Sequence, residues 1–175
     1  MRIGAFIVSF VSLFVLCVTA APQVTTNNAI GDIINLLKIG LVDKINAIIT
    51  LDTFSTNLIS VNFDAKNPLI VELTIDRVVS SAGLNGTVYA TFDQTFTTPV
   101  VVPILGTKNS GTFGNVKLVQ GIEASLDIIP FGVLDLIKTD VYLRAATIKG
   151  KLGIPITIEG LKQSNIPTTY NLELS

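Results

Sequence analysis

The chain has 175 residues, of which 49% are hydrophobic and only 14% charged; its formal net charge is −1 and it contains no histidine. Charge so near balance, and spread along the chain, leaves no basic footprint for a nucleic acid. The single cysteine, Cys17, lies within the first twenty residues. Beyond them, Ser-His-Asp and Cys-His catalysis and nitrogen- or sulfur-ligated zinc are therefore excluded on composition alone.

Residues 1–20 read as a cleavable signal peptide. Met1 and Arg2 supply the positive start, and Ile3 to Val18 carries no ionisable group except the thiol of Cys17. Val18-Thr19-Ala20 fits a small-x-small cleavage site, with Ala21 an equally suitable last residue. The apolar run falls short of the roughly 20 residues a spanning helix needs, and no positive stop signal follows it. Phe14-Val15-Leu16 lacks the small residues that a bacterial lipoprotein site requires before its cysteine. Cleavage leaves eleven basic against thirteen acidic residues, a net charge of −2, and no thiol. The expectation is a secreted, extracellular protein, whose mature part of about 155 residues can bury one core without disulfides.

Residues 21–50 have a helical texture. Thr26, Asn27 or Asn28 can cap a helix, and apolar residues recur at Ile30, Ile33, Ile34, Leu37, Leu41, Ile45 and Ile48. Gly40 interrupts the pattern and costs about 1 kcal/mol relative to alanine, so two short helices also fit. The expected role is to pack on a sheet or close one end of a barrel. A lipid-contacting face is less well served, because Lys38 and Lys44 are balanced by Asp32 and Asp43.

From residue 51 to residue 175 the period changes to two. Ile59, Val61, Phe63 and Ala65 alternate with polar residues, as do Leu69, Val71, Leu73 and Ile75. Asn85-Gly86 is a turn signal before Val88, Ala90 and Phe92. Pro99 to Leu105 is strand-like, with Pro103 pointing to an edge or a bulge. Gly106 to Gly114 reads as a loop. Further alternations run through Ile122–Ile128, Val141–Ala145 and Leu152–Ile158, and a last short strand holds Tyr170, Leu172 and Leu174. Seven or eight short strands with frequent turns indicate a mostly β domain, an antiparallel sandwich or barrel.

The order of motifs is more informative than any one of them. A strand, Asn67-Pro68, a second strand and Gly83 are followed by Pro99-Val100-Val101-Val102-Pro103, and late in the chain by Gly150-Lys151-Leu152-Gly153-Ile154-Pro155. This series, spanning Leu51 to Leu174, resembles the late-embryogenesis-abundant proteins of the folded, atypical class. These carry the water-stress-and-hypersensitive-response (WHy) domain, also found in small secreted fungal proteins. The chain departs from that pattern where Leu69 replaces a second asparagine after the proline. The resemblance implies a fibronectin type III-like antiparallel β-sandwich with one accompanying helix, and a non-enzymatic role in surface interaction or stress protection in the extracellular space or cell wall. Asn67 and Pro68 form its motif turn.

Little other chemistry is on offer. Asp135, Asp140 and Asp64 are the carboxylates that a hydrolase would have to draw on, and isolated carboxylates on strands are usually solvated. No Asp-x-Asp run suits calcium, and no glycine pattern suits a phosphate or a dinucleotide; no cofactor is implied. Asn85-Gly86-Thr87 is an N-glycosylation sequon at an expected turn. Sparse charge on sheet surfaces points to contact with something, the cell wall, a membrane surface or an apolar ligand. The alternative to an interaction module is thus a carrier of a lipid or other apolar ligand, held between helix and sheet.

Overall fold

The computed structural model describes residues 40–174, and they form a β-barrel. The expected signal peptide and the part of the expected helix from Val24 to residue 39 lie outside the described residues. The strands are β1 (Val42–Thr50), β2 (Leu58–Lys66), β3 (Leu73–Leu84), β4 (Thr87–Val102), β5 (Thr107–Asn109), β6 (Phe113–Leu118), β7 (Val133–Ala145) and β8 (Ile154–Glu173). A short helix α1 (Thr53–Thr56) joins β1 to β2, and α2 (Gly121–Leu126) with a 3₁₀ turn (Ile129–Phe131) joins β6 to β7.

The expected sandwich is corrected to a barrel because β1 has two partners. It pairs antiparallel with β2, Ala47 opposite Val61, and parallel with β8, Ile45 opposite Thr168 through Thr50 opposite Glu173. The ring β1-β8-β7-β3-β4-β6-β2 thereby closes on itself with seven strands, and β5 continues the line of β6 along the same edge of β2. Closure removes the open edges that a sandwich would have to protect.

Long strands close into a barrel only if they bend, and bulges supply the bends. The β7–β8 register shifts three times between Leu134 and Val141. Two of the carboxylates weighed for hydrolysis serve these bends. Asp140 accepts the N–H of Gly160 at 2.7 Å, and Asp135 accepts that of Asn165 at 2.8 Å. Gly160 and Asn165 both have positive φ inside β8, 64° and 57°. Just before β1 meets β8 in register, the N–H groups of Leu41 and Val42 donate to Oε1 of Gln163, at 3.0 and 3.1 Å.

Several segments differ from the sequence expectation. Val42–Thr50 is a strand, not the end of a helix: Ile45, Ala47 and Ile49 point inward on a period of two, and the β-branched run VDKINAIIT suits a pleated surface. Ile122–Ile128 is mostly helical, because the residues it buries are Ile122, Ser125 and Ile128, spaced by three. Leu69 and Ile70 belong to an exposed loop, and β3 begins only at Leu73. The Gly106–Gly114 segment contains β5 and the start of β6, and Pro103 lies just past the end of β4. Tyr170–Leu172 ends one long β8 rather than forming a separate strand. The alternation from Ile59 to Ala65 and the Asn85-Gly86 turn are found as expected.

Candidate functional site

Small barrels are normally filled by inward side chains. This one is not. A cavity of about 110 Å³ lies inside the ring, walled by residues from β1, β2, β3, β4, β6, β7 and β8. Its origin can be read in the small residues at wall positions: Ala47 on β1, Ala65 on β2, Ser80 and Ala82 on β3, and Ala90 on β4. Larger apolar side chains from the same strands, among them Ile45, Val61, Phe63, Val78, Leu136 and Val141, complete a nearly hydrocarbon surface.

The few polar groups in the wall are informative because most are satisfied. Ser80 and Thr139 share a hydrogen bond of 2.7 Å between their hydroxyls, and the hydroxyl of Ser125 donates to the carbonyl of Gly121 at 2.7 Å. Lys66 lies at one end of the cavity and pairs with Asp43 at 3.4 Å. Tyr170, opposite Ala47 in the β1–β8 seam, is different. Its hydroxyl oxygen is buried and has no hydrogen-bond partner, and burial pushes the phenol up to about 12. An unmade hydrogen bond of a buried hydroxyl costs about 1–3 kcal/mol. A water held there would want two to four polar partners, and the wall offers one free. The cavity therefore combines an apolar body with a single unanswered donor.

One side of the barrel is closed by rings rather than by backbone. β4 and β6 share only two residue pairs, Ala90 with Leu118 and Thr91 with Lys117. Beyond them Phe92 stacks obliquely on Phe113 with ring centres 5.1 Å apart, and Phe96 meets Phe113 and Phe63 edge-on at 5.9 and 6.4 Å. Side chains can rotate where a hydrogen-bonded ladder cannot, so this seam is held more by rings than by backbone bonds.

The residues singled out from the sequence fall elsewhere. Asn67 is buried and joins the β2–β3 and β4–β5 loops. Its Nδ2 donates to the carbonyls of Val71 and Pro103 at 2.7 and 3.0 Å, and its Oδ1 accepts the N–H of Leu69 at 2.9 Å. Pro68 follows it in the same loop. Asn85 is exposed in the two-residue β3–β4 turn, with φ 51° followed by 82° at Gly86, and the sequon is presented at the far end of the barrel from Asn67. Asp64 faces outward, where Asn109 donates to it at 2.7 Å. Asp64, Asp135 and Asp140 are thus each held by a hydrogen bond of the scaffold. The sequence reading missed the cavity and Tyr170; alanine recurring at inward positions was the available signal.

No protein-family model matches the chain, and no curated protein matches it significantly in sequence.

Proposed function

We propose that this protein is a carrier that holds a small, mostly apolar molecule inside its barrel, in the extracellular space to which the N-terminal leader would direct it. The observation that carries the reading is the cavity of about 110 Å³ with one buried, unpartnered hydroxyl, Tyr170, in a mostly apolar wall. Apolar cavities of about 150 Å³ stay dry and accept guests the size of benzene. The site therefore suits a single ring or a short hydrocarbon segment bearing one hydrogen-bond acceptor for Tyr170.

The chemistry of the wall supports binding rather than turnover, since the Ser80, Thr139 and Ser125 hydroxyls are satisfied and the carboxylates are bound to the scaffold, while Tyr170 keeps a buried hydroxyl without a partner. In this reading the guest sits within the ring, rather than between helix and sheet. A role in stress protection, of the kind the WHy resemblance implies, is compatible with a carrier whose cargo is a small protective or signalling molecule.

Native mass spectrometry of protein purified from its own host tests the proposal. The expected result is one small molecule per chain, released by organic extraction, and a rise in melting temperature when stripped protein is given small aromatic alcohols or ketones. A bare chain that no such compound stabilises would refute it.

A further inference from the structure

The two ends of the barrel both expose apolar side chains, but they differ in charge. At one end three loops meet: β2–β3 (residues 67–72), β4–β5 (103–106) and β7–β8 (146–153). They are stitched together by backbone bonds, Leu105 N–H to Leu69 O at 3.1 Å, Asn67 N–H to Gly106 O at 2.8 Å and Thr147 N–H to Glu72 O at 3.3 Å. From this continuous rim project Ile70, Ile104, Leu105, Ile148 and Leu152, between 55 and 79% exposed.

The most prominent part of the rim, the β7–β8 loop, is fixed in its projecting shape. Arg144 donates to the carbonyls of Gly150 and Leu152 at 3.1 and 3.0 Å, and Glu72 accepts from the Thr147 hydroxyl and the Gly150 N–H at 2.7 and 2.9 Å. Ala146, Lys149 and Leu152 are held at φ between 51° and 60°, a region that side chains rarely adopt. A Cβ on Gly150 would meet Val101 Cγ2 at 2.6 Å, so the close approach of loop to strand also demands glycine there. A loop that merely had spare hydrophobic residues could fold them back. This one is built to keep Ile148 and Leu152 in solvent.

Charge decides what the rim meets. Two carboxylates near it are neutralised, Asp43 by Lys66 and Asp76 by Arg144 at 2.8 Å, and two, Asp64 and Glu72, accept from neutral donors only and keep their charge, against three lysines. Lys108, Lys149 and Lys151 are exposed and have no acidic partner among the described residues. At the opposite end, Leu51, Phe54, Phe131 and Leu172 sit instead among Asp52, Glu123, Asp127 and Glu173, with Lys117 in opposition. Apolar tips alternating with free lysines suit the interface of an anionic bilayer, and carboxylates beside apolar tips do not.

We infer that the three-loop rim docks on an anionic lipid surface, with Ile148 and Leu152 entering the headgroup layer and Lys149 and Lys151 reaching the phosphates. A glycan on Asn85, at the opposite end, would leave the rim clear. The inference stands independently of what the cavity holds.

The chain contains no tryptophan, so one can be placed as a reporter. Leu152→Trp is expected to shift its emission to the blue on addition of phosphatidylcholine vesicles containing phosphatidylserine, less so with phosphatidylcholine alone, and to lose the shift in high salt. Leu51→Trp, at the other end, is expected to show none. Adding K149A and K151A to the Leu152→Trp protein should weaken binding roughly 25-fold, at about fivefold per lysine. Matching far-ultraviolet circular dichroism spectra establish that each variant is folded. The inference is overturned if Leu152→Trp ignores the vesicles, if both reporters respond alike, or if sedimentation shows the rim buried between two copies of the chain.

Discussion

Ala47 offers the most direct way to fill the cavity. It faces inward from β1, 3% exposed, with Val61 opposite it on one side and Tyr170 on the other. At about 24 cal/mol per Å³, a void of 110 Å³ corresponds to about 2.6 kcal/mol of forgone stability. Ala47→Ile adds three carbons, which at about 0.8 kcal/mol each recover up to about 2.4 kcal/mol if they occupy that space. Ordering the new side chain takes back about 0.5–1 kcal/mol, leaving a gain of about 1.5 kcal/mol. Isoleucine also suits a strand better than alanine. Urea unfolding should show a higher midpoint at unchanged slope, with a melting temperature raised by about 5 °C for a domain of this size. The same variant should no longer be stabilised by the small aromatic alcohols that stabilise the parent, because their space is gone. If A47I loses more than about 1 kcal/mol, the site is already packed and the cavity argument fails.

Tyr170→Phe should stabilise the ligand-free protein by about 1 kcal/mol, since it removes an unpaired buried hydroxyl. It should also weaken ligands with an acceptor while leaving pure hydrocarbons unaffected, a split that calorimetry resolves. With the folded value of Tyr170 raised to about 12 from 10 by burial, the protein keeps its full stability below pH 10 and loses stability as the pH rises toward 12, because the unfolded chain releases this proton first. Ultraviolet titration should find one of the three tyrosines ionising last, and three alike would contradict this. Asn67→Ala should cost about 3 kcal/mol in urea unfolding, because it strands the Val71 and Pro103 carbonyls and frees two loops. Glu72 is held below its usual value, first by the Gly150 N–H and then by the Thr147 hydroxyl. Its hold on the β7–β8 loop is thus complete above pH 4.5 and lost as the pH falls through the lowered value. Amide exchange over residues 147–153 should quicken there relative to β3.

The strands that could be read from the sequence were those with one buried face and one wet face, such as Ile59–Ala65. Where a segment lacks that contrast, local pattern misleads. In Val42–Thr50, Ile45 and Ile48 satisfy a helical spacing while Ile45, Ala47 and Ile49 satisfy a strand, and only the presence of β2 and β8 on either side decides between them. In the same way, Ile122, Ala124, Leu126 and Ile128 alternate on paper, but the segment buries every third residue once it crosses the barrel end. The choice between barrel and sandwich rests on a parallel pairing between residues distant in sequence, which no local signal encodes. The cavity was illegible for a related reason: an alanine states its size but not whether its neighbours fill the gap.

The seam between β1 and β8 also bears on when the protein acquires an interior. Contacts such as Ile45 with Thr168 join distant parts of the chain, and loop-closure entropy makes such contacts slow to form. The β1–β2, β3–β4 and β7–β8 pairings can assemble from near neighbours, and joined through β3–β7, β4–β6 and β2–β6 they give a curved open sheet whose alanine-lined face is still wet. Only when β8 zips onto β1 is that face sealed from water. A guest could therefore be trapped during the last step of folding as well as admitted afterwards, and refolding with and without ligand would differ in rate only if it is trapped.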